Sequence, residues 1–412
     1  MGPQTIIKID RYVGIPLCFL LTGFDRVRNS IASRASDPHI PKKILFLKLT
    51  EQGASVLAHS AIKRAEDIVG RGNVYFCVFQ ENRPILDIMG TIPPENIFEI
   101  RQESIASFCL DMFKFLFKAR TLGIDTVIDM EFFSRASALI TYLSGAEIRV
   151  GCHRYSADLP YRGDLMTHKV QYNPYIHVAR QYDLLVQTAM RPVSECPMPK
   201  SEYSEAVQSA PLVKPAEYIF DKVRSTLQSL GVNGFSSIVL LNPNASDMLP
   251  LRKWEAERFI ELAQRLIDTD KRLFVLFTGA PSEQRMCEAI AAKVNSSRAI
   301  CVAGHTTLEE LIALYWMADV LVTNDSGPGH FASITDIKAV VLFGPETPLL
   351  FGPLGANANV IWKRLACSPC VSAFNHRNTP CNDNVCMKMI SVHEVLEQVE
   401  GILRAAKKQA RG

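Results

Sequence analysis

No stretch of this 412-residue chain is apolar over the roughly 18 to 20 residues that a bilayer requires. The longest candidate, YVGIPLCFLLTGF at 12–24, is too short and contains Pro16, which argues against a membrane-spanning helix. An excess of one charge is also missing. Lys plus Arg number 45 against 42 Asp plus Glu, which excludes a surface-wide nucleic-acid footprint and sends the search for partners to individual sites. A secretory leader finds little support, because SIASRAS is a poor cleavage site and no disulfide framework follows it. Eleven cysteines, four of them between 367 and 386, do not resemble a small secreted scaffold, so a reducing cytoplasm is expected.

The 12–24 segment is bracketed by Lys8 and Arg11 on one side and Arg26 and Arg28 on the other. That pattern suits a segment lying on an anionic membrane surface, and equally a helix docked on the protein's own core. Residues 1–42 are therefore read as an N-terminal extension with a membrane-surface segment, and the protein as cytoplasmic and peripheral on the inner face of the cytoplasmic membrane.

Beyond residue 42 strand and helix patterns alternate in two rounds. KILFLKL (43–49), NVYFCVF (73–79), DTVIDM (125–130) and AEIRVG (146–151) read as strands in the first. SIVLLN (237–242), RLFVLFTG (272–279), VLVT (320–323) and KAVVLFG (338–344) read as strands in the second. Helical patterns over 103–119, 134–143, 254–268, 282–294 and 307–317 separate them. Such alternation implies an α/β protein of two Rossmann-like parallel-sheet domains, expected over 43–190 and 219–390, with a C-terminal helix at 391–412. Five prolines without sustained periodicity mark 191–218 as a linker. Ligands bind outside the carboxyl ends of strands in such sheets, so two facing domains would form a cleft with a substrate on each wall.

The turn in VLVTNDSGPGHFASI, residues 320–334, follows a buried strand and precedes a helix that starts near Pro328. Gly327 and Gly329 allow close approach of a ligand, and the N–H groups there suit phosphate. A nucleophile elbow is excluded because Asn324, not Gly, lies two before Ser326. A dinucleotide fingerprint fits Gly327, Gly329 and Ala332, with Glu346 as its ribose carboxylate, yet such a fingerprint usually opens its domain.

Three further stretches accompany that turn: NPNASDMLPLRKWEAERF with Ser246, Arg252 and Lys253, FTGAPSEQR with Glu283, and LFGPETPLLFGPLG. Together they resemble the heptosyltransferase family of GT-B glycosyltransferases, over roughly 237–405 and more weakly over 43–185. The resemblance implies transfer of a sugar, typically heptose from ADP-heptose, to lipopolysaccharide inner core or another lipid-linked glycan. It also implies that Asp325, Ser326, Gly327 and His330 hold the donor diphosphate, that Arg252 contacts phosphate, and that Glu283 binds the nucleoside ribose. Ser246, Lys253 and Gly329 are counted with this donor set. A cation and preorganised N–H groups can stabilise the leaving diphosphate, and no D-x-D motif stands beside the turn, so no catalytic cofactor is expected.

The first half departs from the family. Where members carry a Gly-Asp pair whose Asp acts as general base, LKLTEQGASVLA has Gly53 followed by Ala54. Glu51, in the same loop as Gln52, is the candidate base, with Asp129, Glu131 and Glu81 as rivals. Cys367, Cys370, Cys381 and Cys386 have spacing compatible with a structural zinc, or with thiols or disulfides. The missing Asp leaves two alternatives open: a non-catalytic sugar-nucleotide-binding or assembly protein, and a nucleotide-sugar epimerase.

Overall fold

The computed structural model describes residues 10–31, 40–156, 159–196, 207–234, 237–245, 249–375 and 377–409. The chain divides into two units. One comprises the residues up to Gln208 together with Ala373, Phe374 and Asn375; the other comprises Ser209–Ser372 and the chain from Arg377 onward.

In the first unit β1 (Ile44–Leu47), β2 (Val74–Phe79), β3 (Ile97–Ile100), β4 (Thr126–Asp129), β5 (Ile148–His153) and β6 (His168–Gln171) form one sheet in the order β3-β2-β1-β4-β5-β6. Every pairing is parallel. The central strand ILFL has no solvent exposure, as expected where helices cover both faces of a parallel sheet. The second unit repeats the plan with β7 (Ser237–Asn242), β8 (Leu273–Phe277), β9 (Ala299–Cys301), β10 (Val320–Asn324), β11 (Lys338–Phe343) and β12 (Ala358–Trp362), ordered β12-β11-β10-β7-β8-β9 and again parallel throughout. Each unit is thus doubly wound, and the pair of Rossmann-like sheets is that of the GT-B class. The strand order reverses between β1 and β4 in the first sheet and between β7 and β10 in the second, which singles out their carboxyl ends as ligand positions.

All eight expected strands form. The four additional ones, β3, β6, β9 and β12, are the four sheet edges. Edge strands bury only part of their side chains, so their sequences (HKVQ, for instance) lack the apolar run that marks a central strand.

The expected helices occur at Ile105–Thr121, Arg135–Leu143, Ala256–Thr269, Gln284–Val294 and Leu308–Met317, and a last helix covers Val392–Gln409. Within the expected linker, Glu217–Ser229 already begins a helix. Val213 is tied down before it, donating to Ile334 O at 2.8 Å and accepting from Trp316 Nε1 at 2.7 Å.

The 12–24 segment lies in the helix Gly14–Ile31, which packs one face on the helix Arg135–Leu143. Gly14, Cys18, Thr22 and Asp25 make that face, and Thr22 Oγ1 accepts from Asp164 N at 2.8 Å. Gly163, at φ +72°, leaves room for it: a Cβ there would lie 2.7 Å from Thr22 Oγ1. No helix among the described residues is long and apolar enough to cross a membrane.

Candidate active site

At the reversal point of the first sheet, Lys48 leaves β1 with its side chain only 3% exposed. Its Nζ lies 3.1 Å from Glu51 Oε2 and 3.0 Å from Glu131 Oε2. Burial disfavours the ammonium, but Glu131 and then Glu51 outweigh burial and hold Lys48 above its ordinary pKa, so it stays charged.

The two glutamates differ in what else they do. Glu131 Oε1 accepts from Leu49 N at 2.8 Å, Thr50 N at 3.0 Å and Thr50 Oγ1 at 3.1 Å, so Glu131 is the peg on which the loop after β1 is folded. Glu51 is held by Lys48 with its side chain 34% exposed, and its backbone sits at φ 70°, ψ 90°, in the left-handed region. A non-glycine residue kept there costs of order 1–3 kcal/mol, and such strain concentrates at functional positions.

Gln52 opens the short helix Gln52–Leu57 and donates to Glu81 O at 2.7 Å, while Gly53 is buried beneath it. The Glu81 side chain is exposed at the end of β2.

Asp129, a rival base on sequence grounds, is enclosed. It has no exposure, pairs with the buried Arg162, and accepts from Ser137 Oγ at 2.9 Å and Glu131 N at 3.0 Å. Burial raises its pKa although Arg162 opposes the shift. A carboxylate saturated by internal donors and shut from solvent cannot receive a proton from an incoming hydroxyl, so Asp129 is a buried strut.

At the reversal point of the second sheet lie residues expected on the donor side. Arg252 ends a short turn after β7, with Nη1 3.7 Å from Asp325 Oδ2 and 3.5 Å from Glu346 Oε2. Arg377 Nε lies 3.2 Å from Glu346 Oε1. Two guanidinium groups and two carboxylates therefore share one nearly buried cluster. Buried Asp325 Oδ2 and Arg252 Nε have no hydrogen-bond partner. Burial and the adjacent Glu346 push the Asp325 carboxyl up to about 7, against the pull of Arg252 and Arg377. Glu346, which the sequence offered only as the ribose carboxylate of a rejected fingerprint, thus belongs to this cluster.

Two asparagines that sequence reasoning passed over position Arg252. Asn324 has no exposure; its Oδ1 accepts from Trp254 N at 3.0 Å, and its Nδ2 donates to Pro243 O at 3.0 Å and Asn244 O at 3.2 Å. Asn384 Nδ2 donates to Leu251 O and Lys253 O, both at 3.0 Å, clasping the backbone on either side of Arg252. The only sequence signal for Asn324 was its place directly before Asp325.

The turn itself runs through Ser326, whose hydroxyl donates to Asn324 O at 3.1 Å, into the short helix Gly327–Ala332. Gly329 and His330 are buried there, and Gly327 is half-buried. Glu283 Oε2 accepts from Ala280 N at 2.7 Å, closing its own turn. Gly279 brings that turn against the Arg252 loop: a Cβ on it would lie 2.6 Å from Asn244 Nδ2 and 3.1 Å from Glu283 Oε2. Lys253 is half-buried beside Arg252, and Ser246 lies outside the described residues.

The four-cysteine zinc expectation finds no support. Cys367, Cys370, Cys381 and Cys386 form no disulfide, and no group of three His, Cys, Asp or Glu side chains among the described residues could hold a metal ion. Cys386 belongs to the apolar core with Met387 and Ile390, where burial raises its thiol pKa, whereas Cys367 is exposed.

Comparison with known proteins gives the family and the fold. The family model described as Glycosyltransferase family 9 (heptosyltransferase) matches residues 114–379. Lipooligosaccharide heptosyltransferase 2 of Campylobacter jejuni (serotype O:2) is 29% identical over 170 residues, 40% of this chain and 51% of that protein. Lipopolysaccharide heptosyltransferase 2 of Salmonella typhimurium is 36% identical over 114 residues, 27% of this chain and 32% of that protein. The chain therefore spans about half the length, or less, of these curated relatives. The solved structure of Escherichia coli ADP-heptose LPS heptosyltransferase II superposes with a TM-score of 0.66 at 20% identity, covering 89% of this chain and 99% of that one, which shows a shared fold. On the family match, which extends from the helix before β4 to the Cys-rich loop, the chain belongs to glycosyltransferase family 9, the heptosyltransferase family.

Proposed function

We propose that the protein is an inverting glycosyltransferase that moves a heptose-like sugar from a nucleoside diphosphate donor, of the ADP-heptose kind, to a lipopolysaccharide or other lipid-linked glycan. The observation that carries this reading is the cluster at the reversal point of the second sheet, where Arg252 stands with an unpartnered Nε beside the 325–330 turn. In the proposed step an acceptor hydroxyl oxygen bonds to the anomeric carbon as Glu51 takes its proton. The bond from that carbon to phosphate breaks, and its electron pair leaves with the nucleoside diphosphate. Arg252, Lys253 and the turn's N–H groups stabilise the growing charge, while Glu283 accepts from ribose hydroxyls. Lys48 orients Glu51 through the 3.1 Å ion pair. An acceptor of this class places the protein at the inner face of the cytoplasmic membrane.

A thermal-shift panel of nucleoside diphosphate sugars tests the donor assignment, because a ligand that binds the folded state raises its melting temperature. Selective stabilisation by ADP-heptose over UDP- and GDP-sugars is expected. Equal response to every sugar nucleotide, or none to any, would refute it.

A further inference from the structure

We propose that two helices of the first unit, Gly14–Ile31 and Ile105–Thr121, together form a docking face for an anionic phospholipid surface. Both lie in one layer. Phe115 and Ala119 of the second helix share a core with Ile140 of the helix Arg135–Leu143, and Arg120 Nη2 donates to Leu143 O at 2.6 Å. Gly14–Ile31 packs on that same middle helix from its other flank, with Asp10 accepting from Arg135 N at 3.0 Å.

A surface helix ordinarily turns an apolar stripe inward and polar residues outward. These two instead carry an apolar stripe on the outward face, and Ile105–Thr121 is apolar inward as well. On Gly14–Ile31 the inward residues Cys18, Thr22 and Asp25 leave Leu20, Phe24 and Val27, spaced i, i+4, i+7, on the opposite side, 64%, 62% and 61% exposed. On Ile105–Thr121 the inward Phe108, Phe115 and Ala119 leave Leu110, Phe113 and Phe117, spaced i, i+3, i+7, with the two phenylalanines 70% and 66% exposed. Exposed apolar stripes of this kind mark an interaction site.

The charges select the partner. Arg26 and Arg28 flank the first stripe; Lys114, Lys118 and Arg120 flank the second, all exposed. Asp111 is engaged by Arg101 at 2.8 Å, and Arg28 and Arg26 pair with Asp25 and Asp164 at 2.7 and 3.5 Å, so the net positive charge comes from Lys114, Lys118 and Arg120. A second copy docking through the same face would set these cations against themselves. Phosphate headgroups complement them, and apolar side chains between basic ones suit a helix lying in the headgroup boundary. The inference deepens the membrane-side acceptor proposed above, but it stands on this surface, and vesicle binding is measured without any sugar nucleotide.

The test is co-sedimentation of the full chain with phosphatidylglycerol-containing vesicles and with pure phosphatidylcholine vesicles, alongside sedimentation velocity without lipid. The wild type is expected to pellet with anionic vesicles and release at high salt. F113S/F117S, with helix Gly14–Ile31 intact, and L20S/F24S should each lower the partition coefficient at least about tenfold, the factor that burying one Phe supplies. K114Q/K118Q should weaken binding to anionic vesicles only. These side chains are exposed, so circular dichroism should show unchanged folds. Wild type remaining in the supernatant at low salt, or F113S/F117S binding as the wild type does, would overturn the proposal. So would a concentration-dependent dimer, abolished in F113S/F117S, without vesicle binding. A transferase active on a soluble acceptor yet inert toward vesicles would overturn this face alone and leave the transfer reading standing.

Discussion

Replacing Asp325 by Asn should make the protein more stable at neutral and alkaline pH while weakening its donor site. Asp325 is 3% exposed, its Oδ2 has no hydrogen bond, and its nearest cation is Arg252 Nη1 at 3.7 Å. A carboxyl whose ordinary value is 3.8 is held at about 7 in the folded chain. The sign follows from proton uptake. Between about pH 4 and pH 7 the folded protein keeps a proton that the unfolded chain has released, so this group lowers stability as pH rises through that window, fully so above 7. At about 1.4 kcal/mol per pH unit, the roughly three pH units between 3.8 and about 7 correspond to a loss on the order of 4 kcal/mol. Asparagine keeps the shape, removes the charge and can donate to Glu346. Urea denaturation across pH 4 to 8.5 should therefore show D325N and wild type converging near about pH 4 and D325N gaining about 2–4 kcal/mol by pH 8. A gap that does not widen with pH, or a D325N protein less stable than wild type at pH 8, would refute the reasoning. A stability gain accompanied by weaker nucleotide binding is expected where a costly charge is kept for function.

Other substitutions probe the remaining parts. Arg252→Ala should weaken nucleotide-sugar affinity by about 1.5–3 kcal/mol, the range for a charge-assisted hydrogen bond, and unchanged affinity by calorimetry would remove Arg252 from the donor site. Glu51→Gln should leave nucleotide affinity intact and cut turnover at least about tenfold, with Ala54→Asp partly restoring it; near-normal turnover would shift attention to the exposed Glu81. Asn324→Ala strands the buried Trp254 N–H and two carbonyls, so it should cost about 2–3 kcal/mol of unfolding free energy and loosen nucleotide binding, whereas a neutral effect on both would show that the Arg252 loop holds itself.

The strands that could be read from sequence were those buried on both faces. Runs such as ILFL and VVLF announce themselves because they are apolar throughout, while β6 and β12 sit at sheet edges and mix polar with apolar residues. The cluster around Arg252 was legible where chemistry is local: Arg252 before Trp254 and the turn from Asp325 to His330 lie in short stretches of chain. What the sequence hid was long-range. Arg377 reaches Glu346 from a loop read for its cysteines, and Asn384 clasps Arg252 across more than a hundred residues. Asp129 and Glu51 looked alike as carboxylates at strand ends, and Arg162, brought in from a loop after β5, with Ser137 and the Glu131 N–H, distinguishes the enclosed one from the half-buried one. The cysteine spacing left zinc, disulfides and thiols open, and among the described residues the four cysteines form neither a disulfide nor a metal-holding group.

The central claim is sugar transfer, and it is tested most directly by incubating the protein with ADP-heptose and a heptose-deficient lipopolysaccharide acceptor while following both products. Nucleoside diphosphate measured by chromatography should appear in step with acceptor that has gained one heptose by mass spectrometry, and only when donor and acceptor are both present. Release of ADP without any modified acceptor, isomerised donor with no release, or neither product at any donor concentration would contradict the account.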